Sequence, residues 1–264
     1  MCELFAMSSH IPTSVQLSID VLARHGSTAR RLGDGWGVAF HDGRDALVVR
    51  EAEPAADSPW VHCLAQRGLG GRIVLAHLRH ATQGSAALRN TQPFQRELGG
   101  RVHLFAHNGR FDGIEQHIGA GSRFRPIGDT DSEVAFCTLM ERLAPIWTAG
   151  MPTETERIAV VAGLTTELRA MGPANFLYTD GDLLFAHADR RIQPDGRTAP
   201  PGLTMLQRSC EVDLDALPIA GVTIAPGPQH LVIFASLPLT GEAWRPISQG
   251  TLVVVRNGQV LPMP

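Results

Sequence analysis

A chain of 264 residues with 44% hydrophobic and 19% charged residues has an ordinary globular composition, enough for one large domain or two small ones. Its net charge of −3, with arginine supplying every basic side chain and no lysine, leaves no basic run or aromatic-basic patch and argues against a nucleic-acid partner. No apolar run approaches the ~20 residues that span a bilayer, no basic-then-apolar leader opens the chain, and Cys2, Cys63, Cys137 and Cys210 form no CxxC pair, which argues against a disulfide framework or zinc site and fits a reducing cytoplasm.

In chain order, Met1 to Ala6 reads as a strand beginning at the terminus, with Cys2 directly behind the initiator methionine. Pro12-Thr13-Ser14 precedes the periodic Val15, Leu17, Ile19, Val21 and Leu22, which predicts a capped helix ending at His25-Gly26. Gly33-Asp34-Gly35 opens a strand, Trp36 to Phe40, and the Asp42-Gly43 turn pairs it with Ala46–Arg50 in a hairpin. Residues 51–59 read as a loop, and a short helix follows around Trp60–Arg67.

Arg72–His80 is apolar and β-branched at its start, which predicts a buried strand running into a polar loop. Gly84–Pro93 reads as loop, and Arg101–His107 as a strand closed by Asn108-Gly109. Asp129-Thr130-Asp131-Ser132-Glu133 carries a cap and a first-turn carboxylate ahead of an apolar period, a helix start. Pro152–Met171 gives a second long helix. Strands follow at Ala174–Thr179, Leu183–His187, Met205–Leu206, Leu231–Ala235 and Leu252–Val255, with a Pro- and Gly-rich loop over Arg190–Gly202. Two central helices with strands before and after them predict α+β layers around mostly antiparallel sheets, in a single domain over residues 1–264.

Removal of Met1 is expected because Cys is small, and it would place an α-amine and a thiol on one residue. These titrate near pH ~8 and ~8.5, and an N-terminal amine is a recognised activator of such a nucleophile. Three polar segments at strand ends complete a parts list for cleaving an amide. An Asn side chain followed by a Gly N–H can hold an oxyanion, which nominates Asn108 and Gly109, and Gly109 would allow close approach and a positive φ. Arg79 can fork onto a carboxylate and Asp131 can take an ammonium. Taken singly, Asn108-Gly109 is a hairpin turn, Asp131 a helix-start charge and Arg79 a loop cation. His77, His80 and His107 lack acidic partners at metal-ligand spacing and read as structural or supporting residues, so no metal and no cofactor is assigned.

The ordered set of Cys2, Ala76-His77-Leu78-Arg79-His80-Ala81-Thr82-Gln83-Gly84, Ala106-His107-Asn108-Gly109 and residues 129–133 resembles the class II glutamine amidotransferase domain of the N-terminal nucleophile hydrolases. Asp34-Gly35-Trp36-Gly37 and Ala235-Ser236-Leu237-Pro238-Leu239-Thr240 with Trp244 extend the resemblance to the family's stand-alone members, over nearly the whole chain. The resemblance implies a four-layer αββα sandwich. It implies hydrolysis of a γ-glutamyl amide to glutamate and ammonia, with Cys2 as nucleophile and its α-amine as base. It further implies Asn108 and Gly109 at the oxyanion, and Arg79, Thr82, His80 and Asp131 around the amino-acid head, with Trp36 and the Asp34-Gly35 turn walling the pocket.

Two positions depart from the family pattern. Glu3 stands where Arg or Gly is usual, and strand alternation is expected to point it away from Cys2. Gln92 stands where a His is usual. Three functions remain open at this level: a glutaminase supplying ammonia to a separate synthase, a hydrolase of a γ-glutamyl conjugate with a larger leaving group, and a catalytically silent glutamine-binding relative.

Overall fold

The computed structural model describes residues 2–14, 34–80, 84–193, 195–210, 218–219, 222–223 and 229–263. The helix expected over residues 15–25 lies outside them. The strands that form the two large sheets are β1 (Glu3–Ser14), β2 (Gly35–Asp42), β3 (Asp45–Glu51), β4 (Gly70–Arg79), β5 (Phe94–Leu98), β6 (Arg101–Asn108), β7 (Asn175–Thr179), β8 (Leu184–Ala188), β9 (Thr204–Cys210), β10 (Gln229–Ala235), β11 (Arg245–Pro246), β12 (Thr251–Arg256) and β13 (Gln259–Val260). The α-helices among the described residues are α1 (Pro59–Arg67), α2 (Asp131–Leu143) and α3 (Glu154–Met171). One sheet has seven strands in the order β11-β9-β10-β1-β4-β2-β3, and the other has six in the order β13-β12-β8-β7-β6-β5. Neighbouring strands in both are antiparallel.

Side-chain size sorts the layers. Between the sheets lie Leu4, Ala6, Ala39, Leu75, Leu104, Ala106, Leu177, Ala186 and Val253. These are small and aliphatic, which suits sheets stacked face to face. The outer face of the six-stranded sheet carries the aromatics: Phe105 stacks on Phe136 of α2 and on Phe176 at ring separations of 5.4 and 5.5 Å. The outer face of the seven-stranded sheet packs Phe5, Met7, Trp36 and Val38 with Val61 of α1. The result is the αββα sandwich, and β1 is apolar on both faces because it is covered on both.

The cap expected at the start of α2 formed, and α3 has one that the sequence reading did not name. Thr130 caps α2 by accepting from the Glu133 N–H at 3.3 Å, and Thr153 and Glu156 form a reciprocal capping box on α3. Three boundaries differ from the sequence reading. β1 continues through Ser14, so Pro12-Thr13-Ser14 is strand rather than cap, with a register shift between Ser8 and Thr13. β9 spans seven residues instead of two, because pairing with β10 along Thr204 to Cys210 holds polar positions in the ladder. β5, absent from the sequence reading, is strand because it pairs with β6 from Phe94↔Phe105 to Leu98↔Arg101.

A buried ionic cluster anchors α3 to the β7–β8 turn. The Arg157 guanidinium, only 2% exposed, donates to Asp180 at 2.8 Å and to Asp182 at 2.9 Å. Truncating one side of such a pair strands the other charge. Arg157→Ala is therefore expected to destabilise the fold by about 3–5 kcal/mol, read as a lower urea midpoint at unchanged slope. A wild-type midpoint would contradict this.

Candidate active site

Strand alternation brings the chemistry to one end of the gap between the sheets. Leu4 and Ala6 face the gap, so Cys2 does as well; Leu104 and Ala106 face it from the other sheet, and so does Asn108. In β4, Ile73 and Leu75 face the gap, and the same period brings His77 and Arg79 there. The pairing Glu3↔Leu78 and Leu4↔His77 puts Cys2 beside the end of β4.

The Cys2 sulfur accepts from the His80 backbone N–H at 3.3 Å and donates to the His80 carbonyl at 3.4 Å. Asn108 reaches across the gap, its Nδ2 donating to the Cys2 carbonyl at 2.6 Å. Burial pushes the thiol above its ordinary value, with the His80 N–H pulling the other way. The sulfur is thus held largely as a neutral thiol at neutral pH. His80 serves this cluster through its backbone, and burial lowers the pKa of its ring.

Arg79 is 3% exposed and donates from Nη2 to the Gly84 carbonyl at 3.1 Å. Gly84 has φ +72, and a Cβ there would lie 2.8 Å from Asn90 Nδ2, so the turn beneath Arg79 needs glycine. Asn90, fully buried, ties that turn to the start of α2. Its Nδ2 donates to the Ser85 carbonyl at 3.1 Å, and its Oδ1 accepts from the Asp129 N–H at 2.8 Å. Asp131 is oriented by two backbone N–H groups, Phe111 on Oδ2 at 2.7 Å and Ser132 on Oδ1 at 2.9 Å.

Gly109 departs from expectation in its reason rather than its place. It is not among the glycines with positive φ. A Cβ there would lie 1.9 Å from the Pro173 carbonyl, so glycine is required because two backbones touch. The Asn108 carbonyl is held from the other side by Asn175 Nδ2 at 3.0 Å.

Trp36 is a correction. It sits on the opposite face of its sheet, fully buried among Phe5, Val38 and Leu78, with its indole N–H on Glu51 Oε2 at 3.0 Å. Period two separates it from the gap-facing Gly35 and Gly37, so the pocket wall expected from it is absent. The Asp34 N–H does meet the Arg79 carbonyl, at 2.8 Å. Thr82 lies outside the described residues. Glu3 forms a buried ion pair with Arg191 at 2.9 Å. Burial nonetheless raises its carboxyl pKa, with Arg191 opposing. Its upward push on the Cys2 thiol comes after that of burial. Gln92 accepts the His107 backbone N–H on Oε1 at 2.5 Å, continuing the edge of β6 past the end of β5.

Asn90, Ser132 and Asn175 were given no role from the sequence. The only local signal was a run of Asn, Thr and Gln before a proline at 90–93 and a Ser behind the capping Asp. Among the described residues no cluster of three His, Cys, Asp or Glu could hold a metal ion. A cavity of about 890 Å³, lined by Arg44, Arg72 and Arg101 among others, lies at the opposite end of the sandwich and contains none of these groups.

A thiol, an amide donor on the carbonyl of the same residue, a guanidinium and an oriented carboxylate thus stand at the ends of the elements described above. Comparison with known proteins gives the family. The family model for class II glutamine amidotransferases matches residues 1–263. The provisionally named glutamine amidotransferase YafJ of Escherichia coli (strain K12) is 33% identical over 252 residues, 95% of each chain. A provisionally named glutamine amidotransferase of Haemophilus influenzae is 32% identical over 260 residues, 98% of this chain and 85% of that one. The crystal structure of a predicted glutamine amidotransferase from Pseudomonas aeruginosa superposes with a TM-score of 0.71 at 28% identity, covering 99% of this chain and 100% of that one. The glutamine phosphoribosylpyrophosphate amidotransferase of B. subtilis shares the fold at a TM-score of 0.60 and 16% identity, over 98% of this chain and 48% of that one. The chain belongs to the class II glutamine amidotransferases.

Proposed function

We propose that this chain hydrolyses the side-chain amide of glutamine, or of a γ-glutamyl amide, through a Cys2 thioester. Once Met1 is removed, the Cys2 α-amine takes the thiol proton and the sulfur attacks the amide carbon. The oxyanion is held by Asn108 Nδ2 and the Gly109 N–H. The amine returns the proton to the leaving nitrogen, which departs as ammonia, and water then cleaves the thioester to glutamate. Arg79 takes the α-carboxylate and Asp131 the α-ammonium, with Thr82 and His80 beside them. The ammonia passes to a separate synthase.

The observation that carries this reading is the Asn108 amide 2.6 Å from the carbonyl of the thiol-bearing residue, across a gap between two sheets. The raised thiol supports the amine's part, because a neutral thiol needs a base at the moment of attack.

The test is a substrate screen with ammonia and glutamate both quantified, alongside mass spectrometry of the N-terminus. Equimolar ammonia and glutamate from glutamine, with Met1 absent, is the expected result. Faster turnover of γ-glutamyl conjugates would make a larger amine the leaving group. Quantitative retention of Met1 would end the amine-base mechanism. Asn108→Ala is expected to lower kcat by about 10²–10³ with a smaller change in KM; an unchanged kcat would remove it from the oxyanion site.

A further inference from the structure

Among the buried titratable groups that the proposed mechanism does not use, one adjoins the oxyanion pair. His107 precedes Asn108, is 1% exposed, and stacks on Phe111 with ring centres 4.1 Å apart. Its Nε2 lies 3.1 Å from the Pro173 carbonyl and its Nδ1 lies 2.8 Å from Ser132 Oγ. A carbonyl only accepts, so Nε2 carries the ring proton and Nδ1 is the lone pair. Ser132 must then donate its hydroxyl proton to Nδ1. This direction has a consequence for Asp131. Ser132 Oγ is 3.5 Å from Asp131 Oδ1, but its proton points the other way. Among the described residues Asp131 is therefore oriented by the Phe111 and Ser132 N–H groups, and no other donor among them takes its remaining lone pairs.

We propose that Ser132 and His107 form a positioning pair that locks the Asn108–Gly109 segment onto Pro173 while leaving the Asp131 carboxylate open for a substrate ammonium. The pair rests on the reading of Asn108, Gly109 and Asp131 given above and adds two residues that do not touch substrate. Its geometry explains why one carbonyl, that of Pro173, both receives the His107 N–H and presses on Gly109. Shifting His107 shifts the two groups that follow it in the chain. Asp131 keeps both backbone donors when the Ser132 hydroxyl is removed, so the pair acts on the oxyanion side of the site and not on ammonium binding.

Ser132→Ala and Ser132→Thr decide this, by two readouts. In ¹⁵N spectra of the wild type, the His107 ring is expected to show a protonated Nε2 and a hydrogen-bonded, unprotonated Nδ1. In Ser132→Ala the Nδ1 signal moves toward a free lone pair and the Asn108 side-chain amide signals shift with it. In glutamine hydrolysis, Ser132→Ala is expected to lower kcat by about 10-fold or more, since small misplacements of reacting groups are costly, while KM changes less than about 2-fold. The hydroxyl of Ser132→Thr restores kcat; should that variant not fold, the ring and amide shifts of Ser132→Ala still decide. An Nδ1-protonated ring, or unmoved Asn108 signals with wild-type kcat in Ser132→Ala, would overturn the pair. A wild type that hydrolyses no γ-glutamyl amide would overturn the proposed function instead, leaving the ring spectra to judge the pair.

Discussion

Cys2→Ala is expected to lose glutamine hydrolysis by at least about 10⁴-fold in kcat while folding as the wild type does. The proposed nucleophile is the one group whose removal would leave no alternative route to the proposed thioester, and removing a nucleophile in comparable hydrolases costs far more than removing an oxyanion donor. The fold should hardly notice. Cys2 is half-buried ahead of β1, and among the described residues its sulfur bonds weakly to the His80 backbone. Cys2→Ser keeps a nucleophilic atom but raises the proton barrier, so a residual rate well below wild type is expected. Iodoacetamide should inactivate the wild type with one label on Cys2, and saturating glutamine should slow that labelling. Wild-type turnover by Cys2→Ala, or inactivation tracking Cys63 instead, would show that the sulfur is not the reagent.

Acid is expected to unfold the protein well before its carboxylates titrate. Burial lowers His77 to about 3 and His41 and His103 each to about 4, against 6.5 for an exposed ring. Among the described residues His77 has no hydrogen-bond partner on either ring nitrogen, so none of them offsets its burial. A depressed pKa means that the folded state resists a proton that the unfolded state accepts. Stability from these rings is therefore complete above about pH 6.5 and declines as pH falls toward 4 and then 3. At pH 5 each ring accounts for a loss of about 2 kcal/mol, and the three together about 6. That is comparable to the whole net stability of a domain. Glu3 works in the opposite sense, because burial raises its carboxyl and the folded state binds that proton first, so it offsets part of the loss. Urea midpoints measured from pH 7.5 to 5 should fall steeply, and His77→Gln should flatten the slope by about one proton. A midpoint independent of pH over that range would mean that these rings are not held neutral by burial.

Much of the structure that carries the candidate site was legible because it depends on short-range rules. The Asp42-Gly43 turn forced the β2–β3 hairpin, and the Thr130 cap set where Asp131 begins α2. Cys2, Arg79, Asn108 and Asp131 each stand at the end of an element whose length could be read locally. What escaped was anything that needs a second layer. β5 follows a proline and has a polar middle, so only the edge of β6 makes it a strand. Glu3 could be expected to avoid Cys2, but its buried partner Arg191 is 188 residues away.

Sequence alone determined the alternation of the strands and the start of α2, because these follow from neighbours within a few residues. Tertiary structure alone decided which face of each strand meets the gap. Trp36 and Gly37 are adjacent in the chain, yet only packing against α1 on one side and β6 on the other sends the indole to the helix layer. It also decided why Gly109 must be glycine, since the Pro173 carbonyl that excludes a side chain arrives from β7's approach, 64 residues later in the chain. A period of two specifies that faces differ; only a partner surface can say which of them is the site.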